Sequence, residues 1–254
     1  MRLNVVEAGR GDALVLLHGL FGSAPNLGAV QKALAPRHRV LALDLRNHGA
    51  SPHAAGMSYA TMADDVAETM HDAGIASAAV VGHSMGGKAA MALALRHPAR
   101  VTRLVVADIA PVRYAPALRG HVAAMQALPL RKGLTRREAD AALAASVPAP
   151  GERAFLLQNL RFEDDPPRWR LGLAGIAAAM EEIEGFDATG KNDLPVLFLS
   201  GGRSGYVRPE HVPAIRALFP QARFETIPEA GHWLHAEQPA AFLAAVTRFL
   251  DEGG

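Results

Sequence analysis

Short apolar runs, each closed by polar or turn-forming residues, recur through the first part of the chain. Residues 13–17, 40–43, 78–81 and 104–107 each read as a buried strand, because an unbroken apolar run has no face to offer water. They close on His18-Gly19, on Asp44-Leu45-Arg46-Asn47-His48-Gly49, on Gly82-His83-Ser84 and on Asp108. Helical periodicity fills the intervals, most clearly over 59–72 and 88–96. Alternating strand and helix predicts an α/β fold with a mostly parallel central sheet and helices on both faces. In such sheets ligands bind beyond the carboxyl ends of the strands, where this chain collects its polar punctuation.

The rhythm stops between positions 111 and 187, where the pattern predicts helices and turns only. Thr135-Arg136-Arg137-Glu138 has the form of a capping box. Trp169, Leu173, Ile176, Met180 and Ile183 form one apolar stripe at helical spacing. Strand patterns return at 196–199 and 223–227, with helices near 209–218 and over 239–250. The expectation is one core, 1–110 and 188–254, carrying a helical cap insertion at 111–187.

Composition narrows the classes. The chain has 254 residues, half of them hydrophobic, enough for a sizeable core. Lysine and arginine number 26 against 25 acids, for a net charge of +1 without a basic block. Nucleic acid and anionic membrane are therefore not the expected partners. There is no cysteine, so disulfides, thiolate metal sites and cysteine nucleophiles are excluded. No run suits a membrane span or a signal peptide, and a cytoplasmic location is the default expectation. A homodimer is left open.

Gly82-His83-Ser84-Met85-Gly86-Gly87 ends a predicted strand and opens a predicted helix, the context in which G-x-S-x-G forms a nucleophile elbow. Ser84 on such a strained turn is lifted above the sheet. The Met85 amide and the positive end of the new helix then point at a reacting carbonyl oxygen. The alternative is a glycine-rich turn with a capping serine or a phosphate loop, but no G-x-G-x-x-G and no Walker lysine accompany it. Lys88, one helical turn on, reads as a surface or helix-packing lysine ahead of a substrate contact. After the 13–17 strand, the amide of Leu20 is the expected second oxyanion donor, with Phe21 next. Phe21 fits equally a pocket wall or a core plug, and His18 a structural bridge.

Glu229-Ala230-Gly231-His232-Trp233-Leu234-His235 follows the last predicted strand, so His232 is the expected general base. A metal site on His232, His235 and Glu237 is the weaker reading, since no other ligand spacing supports it. His235 then reads as structural and Trp233 as packing beside the site. The orienting acid is harder to place. The loop Ser200-Gly201-Gly202-Arg203-Ser204-Gly205-Tyr206 contains no carboxylate. Asp108 ends the neighbouring strand, about 4.8 Å away, and is the first choice. Glu210 or a dyad without an acid is the alternative, and Asp44 reads as a loop brace.

Together these residues resemble the α/β-hydrolase superfamily over essentially the whole chain. More narrowly, His18-Gly19-Leu20-Phe21-Gly22-Ser23, residues 44–53, residues 82–88 and Asp108-Ile109-Ala110-Pro111-Val112 resemble the YbfF-type acyl esterases. The resemblance implies an esterase or thioesterase with a helical cap and no cofactor, and an acid after the sixth strand. The expectation is a serine hydrolase that cleaves small-molecule carboxylic esters or thioesters of small to medium acyl groups through an acyl-enzyme, using Ser84, His232 and Asp108, with Phe21, His83, Ile176, Met180 and Trp233 lining the substrate site. A different reaction of the fold, such as C–C hydrolysis or peracid formation, or a silent ligand-binding protein, is the competing reading.

Overall fold

In a computed structural model, which describes residues 1–252, seven strands form the central sheet. They are β1 (Asn4–Ala8), β2 (Asp12–Leu17), β3 (His38–Asp44), β4 (Ala78–His83), β5 (Val101–Ala107), β8 (Val196–Gly201) and β9 (Ala222–Ile227), in the order β1-β3-β2-β4-β5-β8-β9. β1 runs antiparallel to β3, and every other pairing in the sheet is parallel. The register sets Leu17 opposite Gly82, His83 opposite Ala107, and Ala107 opposite Leu199. His18, Ser84 and Asp108 therefore leave the sheet at one edge from adjoining strands.

Alternation along the central strands feeds two layers. Val15, Leu17, Val80, Leu104 and Val106 join one core cluster with α2 (Tyr59–Asp72) and α3 (Met85–Arg96). Leu14, Leu16, Val81, Val105 and Ala107 join the other, with α1 (Gly28–Leu34) and α11 (Pro239–Asp251). α3 begins at Met85, directly after Ser84 and three residues ahead of the sequence pattern. α9 (Val212–Leu218) and the single turn α10 (Leu234–Glu237) complete this part of the chain.

The stretch between β5 and β8 differs from expectation in two ways. It contains α4 (Arg119–Ala127), α5 (Arg136–Leu143), α6 (Pro150–Leu156), α7 (Leu173–Ala178) and α8 (Met180–Glu184), but also a small hairpin, β6 (Leu160–Arg161) paired with β7 (Arg168–Trp169). Trp169 thus sits on a strand and not on the helix of the apolar stripe. The stripe itself breaks at Ala179 into two short helices, although Leu173, Ile176, Met180 and Ile183 are all buried as their spacing demands. β1 was not foreshadowed, because an antiparallel edge strand needs only one protected face and this one is largely solvent-accessible. The capping box forms: Thr135 N–H donates to Glu138 Oε2 at 2.9 Å and Glu138 N–H donates back to Thr135 Oγ1.

Lys88 is not a surface residue. Its side chain is 1% exposed, and Nζ donates to the carbonyls of Val112 (2.9 Å), Glu184 (3.0 Å) and Gly185 (2.7 Å). The ammonium also faces the Tyr114 ring, 4.8 Å from its centroid. One cation thus ties the helix behind Ser84 to both ends of the helical segment. Burial pushes Lys88 down to about 7.

Candidate active site

The turn at Ser84 is one that the neighbouring glycines make possible. Ser84 has φ +53°, ψ −121°, a strained conformation for a residue with a side chain. A Cβ at Gly82 would lie 2.3 Å from the Gly86 carbonyl oxygen, and one at Gly86 would lie 2.4 Å from that of Leu17. Any side chain at either position would open the turn. The serine is held from below by its own amide, which donates to the Ala107 carbonyl at 2.9 Å.

Asp108 occupies the corresponding turn one strand over, also at φ +53°, with its amide donating to Leu199 O at 2.8 Å. Its carboxylate is fully buried. Oδ1 accepts from the Gly201 amide at 3.1 Å, and Oδ2 accepts from Ser204 Oγ at 2.5 Å. The loop after β9 brings His232 between these two turns. Its Nδ1 lies 2.7 Å from Asp108 Oδ2 and its Nε2 lies 3.0 Å from Ser84 Oγ. With the carboxylate ionised, the proton resides on Nδ1 and Nε2 is free to accept from the serine hydroxyl. Glu210 is remote from this array and pairs with Arg208 on the surface.

The imidazole is fixed on several sides. Tyr206 stacks on it with centroids 4.1 Å apart and rings 22° from parallel. His83 Nε2 donates to the His232 carbonyl at 2.8 Å, so His83 braces the loop while lining the cavity. Glu237 accepts from the amides of Gly231 (2.7 Å) and Trp233 (3.1 Å) and so shapes the same turn. His235 packs edge-on against His83, and burial pushes it down to about 4, keeping it neutral. Among the described residues no group of three or more His, Asp or Glu is arranged to hold a metal ion.

Opposite His232, the 18–22 loop turns at Phe21, φ +63°. The Phe21 amide is already committed to His48 Nε2 at 3.1 Å, whereas the Leu20 amide has no partner among the described residues. That difference selects Leu20 over Phe21 as the free donor beside Met85. Two buried neutral histidines set the loop. His18 accepts from the Leu45 amide at Nε2 (3.0 Å) and donates from Nδ1 to Gly19 O (2.8 Å). His48 donates from Nδ1 to Arg46 O at 2.9 Å, and burial pushes it down to about 3. Asp44 braces the loop from behind, accepting from the amides of Ala24 (2.6 Å) and Ala50 (2.9 Å).

Two chambers meet at Ser84. The larger, about 320 Å³, is lined by Phe21, His83, Phe155, His232 and Trp233 among others. The smaller, about 60 Å³, is lined by Tyr59, Met85, Lys88, Tyr114, Met180 and Ile183 together with Ser84 itself. Of the residues expected to line the substrate site, Phe21, His83 and Trp233 border the larger chamber and Met180 the smaller. Ile176 borders neither chamber: it is wholly buried, its side chain taken up by core packing. Ser204, Tyr206 and His48 were not singled out from the sequence. The one available signal was a hydroxyl and an aromatic ring in a loop that lacked its expected acid.

The model of the α/β-hydrolase fold family matches residues 12–239. The chain belongs to the α/β-hydrolase family. Among curated members, it is 44% identical over 247 residues to the mouse protein named sn-1-specific diacylglycerol lipase ABHD11, covering 94% of this chain and 80% of that one. It is 39% identical over 240 residues to Escherichia coli esterase YbfF, covering 94% and 93%. Of solved α/β-hydrolases, a marine microorganism esterase superimposes with a TM-score of 0.94 at 36% identity, over 98% of this chain and 99% of that one. No described helix is long and apolar enough to cross a membrane.

Proposed function

We propose that this α/β-hydrolase cleaves carboxylic esters, and thioesters of the same acyl groups, through an acyl-enzyme. The observation that carries the reading is the unbroken run of contacts from Ser84 Oγ to His232 Nε2 (3.0 Å) and from His232 Nδ1 to Asp108 Oδ2 (2.7 Å). The names of the relatives, esterase and lipase, point to the same chemistry.

Ser84 Oγ attacks the ester carbonyl while its proton passes to His232 Nε2. The resulting alkoxide is held by the amides of Leu20 and Met85. Collapse breaks the carbonyl-to-oxygen (or sulfur) bond, and the imidazolium returns its proton to the departing alkoxide or thiolate. A water then repeats the sequence on the acyl-serine, giving the acid and restoring Ser84. Asp108 stays ionised throughout, holding the imidazole in one tautomer and stabilising its cation.

In this reading residues 111–187 act as a cap on the core formed by 1–110 and 188–254. Phe155 from α6 and Met180 from α8 reach the two chambers from that side. A fluorophosphonate probe provides the test. It should label the wild type and fail to label Ser84→Ala, and ester hydrolysis should be lost in the same variant. Labelling or hydrolysis that survives in Ser84→Ala would refute the assignment.

A further inference from the structure

The two chambers at Ser84 differ about fivefold in volume, roughly 320 Å³ against 60 Å³, and only the larger is lined by His232. That difference bears on which half of an ester each receives. This step rests on the ester-hydrolase reading above. His232 Nε2 must deliver a proton to the leaving atom, so the leaving group has to depart on the His232 side of Ser84. The carbonyl oxygen is taken by the Leu20 and Met85 amides. The acyl chain is left with the remaining direction, away from His232 and past Met85, which leads into the small chamber.

We propose that the enzyme selects short acyl groups carried on bulky leaving groups, because the chamber beyond Met85 is small while the chamber beside His232 is wide. A space of 60 Å³ holds on the order of four water-sized positions, which suits an acetyl to butanoyl chain. Part of its wall is held by hydrogen bonds. Lys88 spends its Nζ on three carbonyls there, and Tyr59 and Tyr114 stand beside it with their hydroxyls bonded to Ile183 O (2.7 Å) and Tyr206 O (2.6 Å). Met180 is a flexible unbranched wall contributed from α8. The large chamber is mostly apolar at Phe21, Phe155 and Trp233, with the His121–Glu152 pair (3.1 Å) at one side. A leaving group with an apolar body and a polar end fits that lining.

The test uses two ester series on the whole protein, with fluorophosphonate labelling as an independent measure of a working serine. In the first series the leaving group is constant (4-nitrophenol) and the acyl chain grows from acetyl to dodecanoyl. Each methylene the small chamber accepts should raise kcat/KM about fourfold, and kcat/KM should fall at least tenfold from butanoyl to octanoyl. In the second series the acyl group is acetyl and the alcohol grows from methyl to a long-chain or aryl alcohol, and kcat/KM should rise. Met180→Ala should move the acyl optimum about two carbons longer. Phe155→Ala should flatten the leaving-group series and leave the acyl optimum in place. An optimum at octanoyl or beyond in a labelled, active enzyme overturns the proposal and leaves the hydrolase reading standing. So does an acyl profile that Met180→Ala does not move. Absence of both labelling and hydrolysis overturns the two together.

Discussion

Ser204 Oγ donates to Asp108 Oδ2 at 2.5 Å, the same carboxylate oxygen that faces His232 Nδ1. The loop that carries no acid thus supplies a hydroxyl to an acid reaching in from the neighbouring strand. Carboxylate and hydroxyl occupy one small volume from two sides. Asp108→Asn should leave the fold intact and present an amide to His232, favouring the wrong tautomer. A fall in kcat of up to about 10⁴ is expected in steady-state ester hydrolysis. Ser204→Asp on that background should recover part of the loss, since its carboxylate starts within reach of the same imidazole. Activity close to wild type in Asp108→Asn would remove Asp108 from the mechanism.

Ser204→Ala tests the hydroxyl by itself. It removes one of the hydrogen bonds that hold the Asp108 carboxylate toward His232. A fall in kcat of about tenfold is expected in steady-state ester hydrolysis, the scale of one hydrogen bond to a charged group, with Ser204→Thr, which keeps the hydroxyl, losing less. Equal kcat in Ser204→Ala and wild type would show that Ser204 merely fills space.

Ser84→Ala should reduce hydrolysis by about 10³-fold or more while circular dichroism and urea denaturation remain near wild type, since the change removes one hydroxyl from a turn the glycines hold.

The buried histidines make fold stability depend on pH. His48 is pushed down to about 3 and His235 to about 4, both from an ordinary value of 6.5. Between those values and 6.5 the unfolded chain binds a proton that the native chain refuses, so stability rises with pH through that window and falls on acidification. At pH 5 His48 alone should cost about 2 kcal/mol relative to pH 8. Urea denaturation across pH 4–8 should show the slope, and His48→Gln, which keeps an acceptor for the Phe21 amide, should reduce it. A flat profile would mean that these imidazoles are not held neutral.

Lys88→Met preserves most of the volume but strands three buried carbonyls. Destabilisation of about 2–4 kcal/mol is expected in urea denaturation, together with earlier proteolytic cleavage within 111–187. Ile176→Ala should also destabilise, by about 2–5 kcal/mol through cavity formation, without changing the acyl-length profile. A shifted profile would place Ile176 at the substrate after all.

Much of the fold could be read from order along the chain. The apolar runs at 13–17, 40–43, 78–81, 104–107 and 196–199 became β2, β3, β4, β5 and β8 because a strand buried on both faces leaves an unbroken signature. The Gly82-x-Ser84-x-Gly86 turn was equally legible, since a Cβ at either glycine would meet backbone within 2.4 Å or less. Both are local facts, fixed by covalent geometry and hydropathy within a few residues. Tertiary structure alone decided what depends on pairs far apart in sequence. Lys88 reads as a surface or helix-packing lysine until Val112, Glu184 and Gly185 turn their carbonyls toward it from 24, 96 and 97 residues away. The hydroxyl of Ser204 has no meaning before it meets Asp108, 96 residues back. The apolar stripe foretold burial at Ile176 and Met180 alike, but periodicity reports only which residues leave water. Which of them faces a cavity depends on how the two short helices pack against residues distant in sequence: Met180 borders the smaller chamber and Ile176 borders neither.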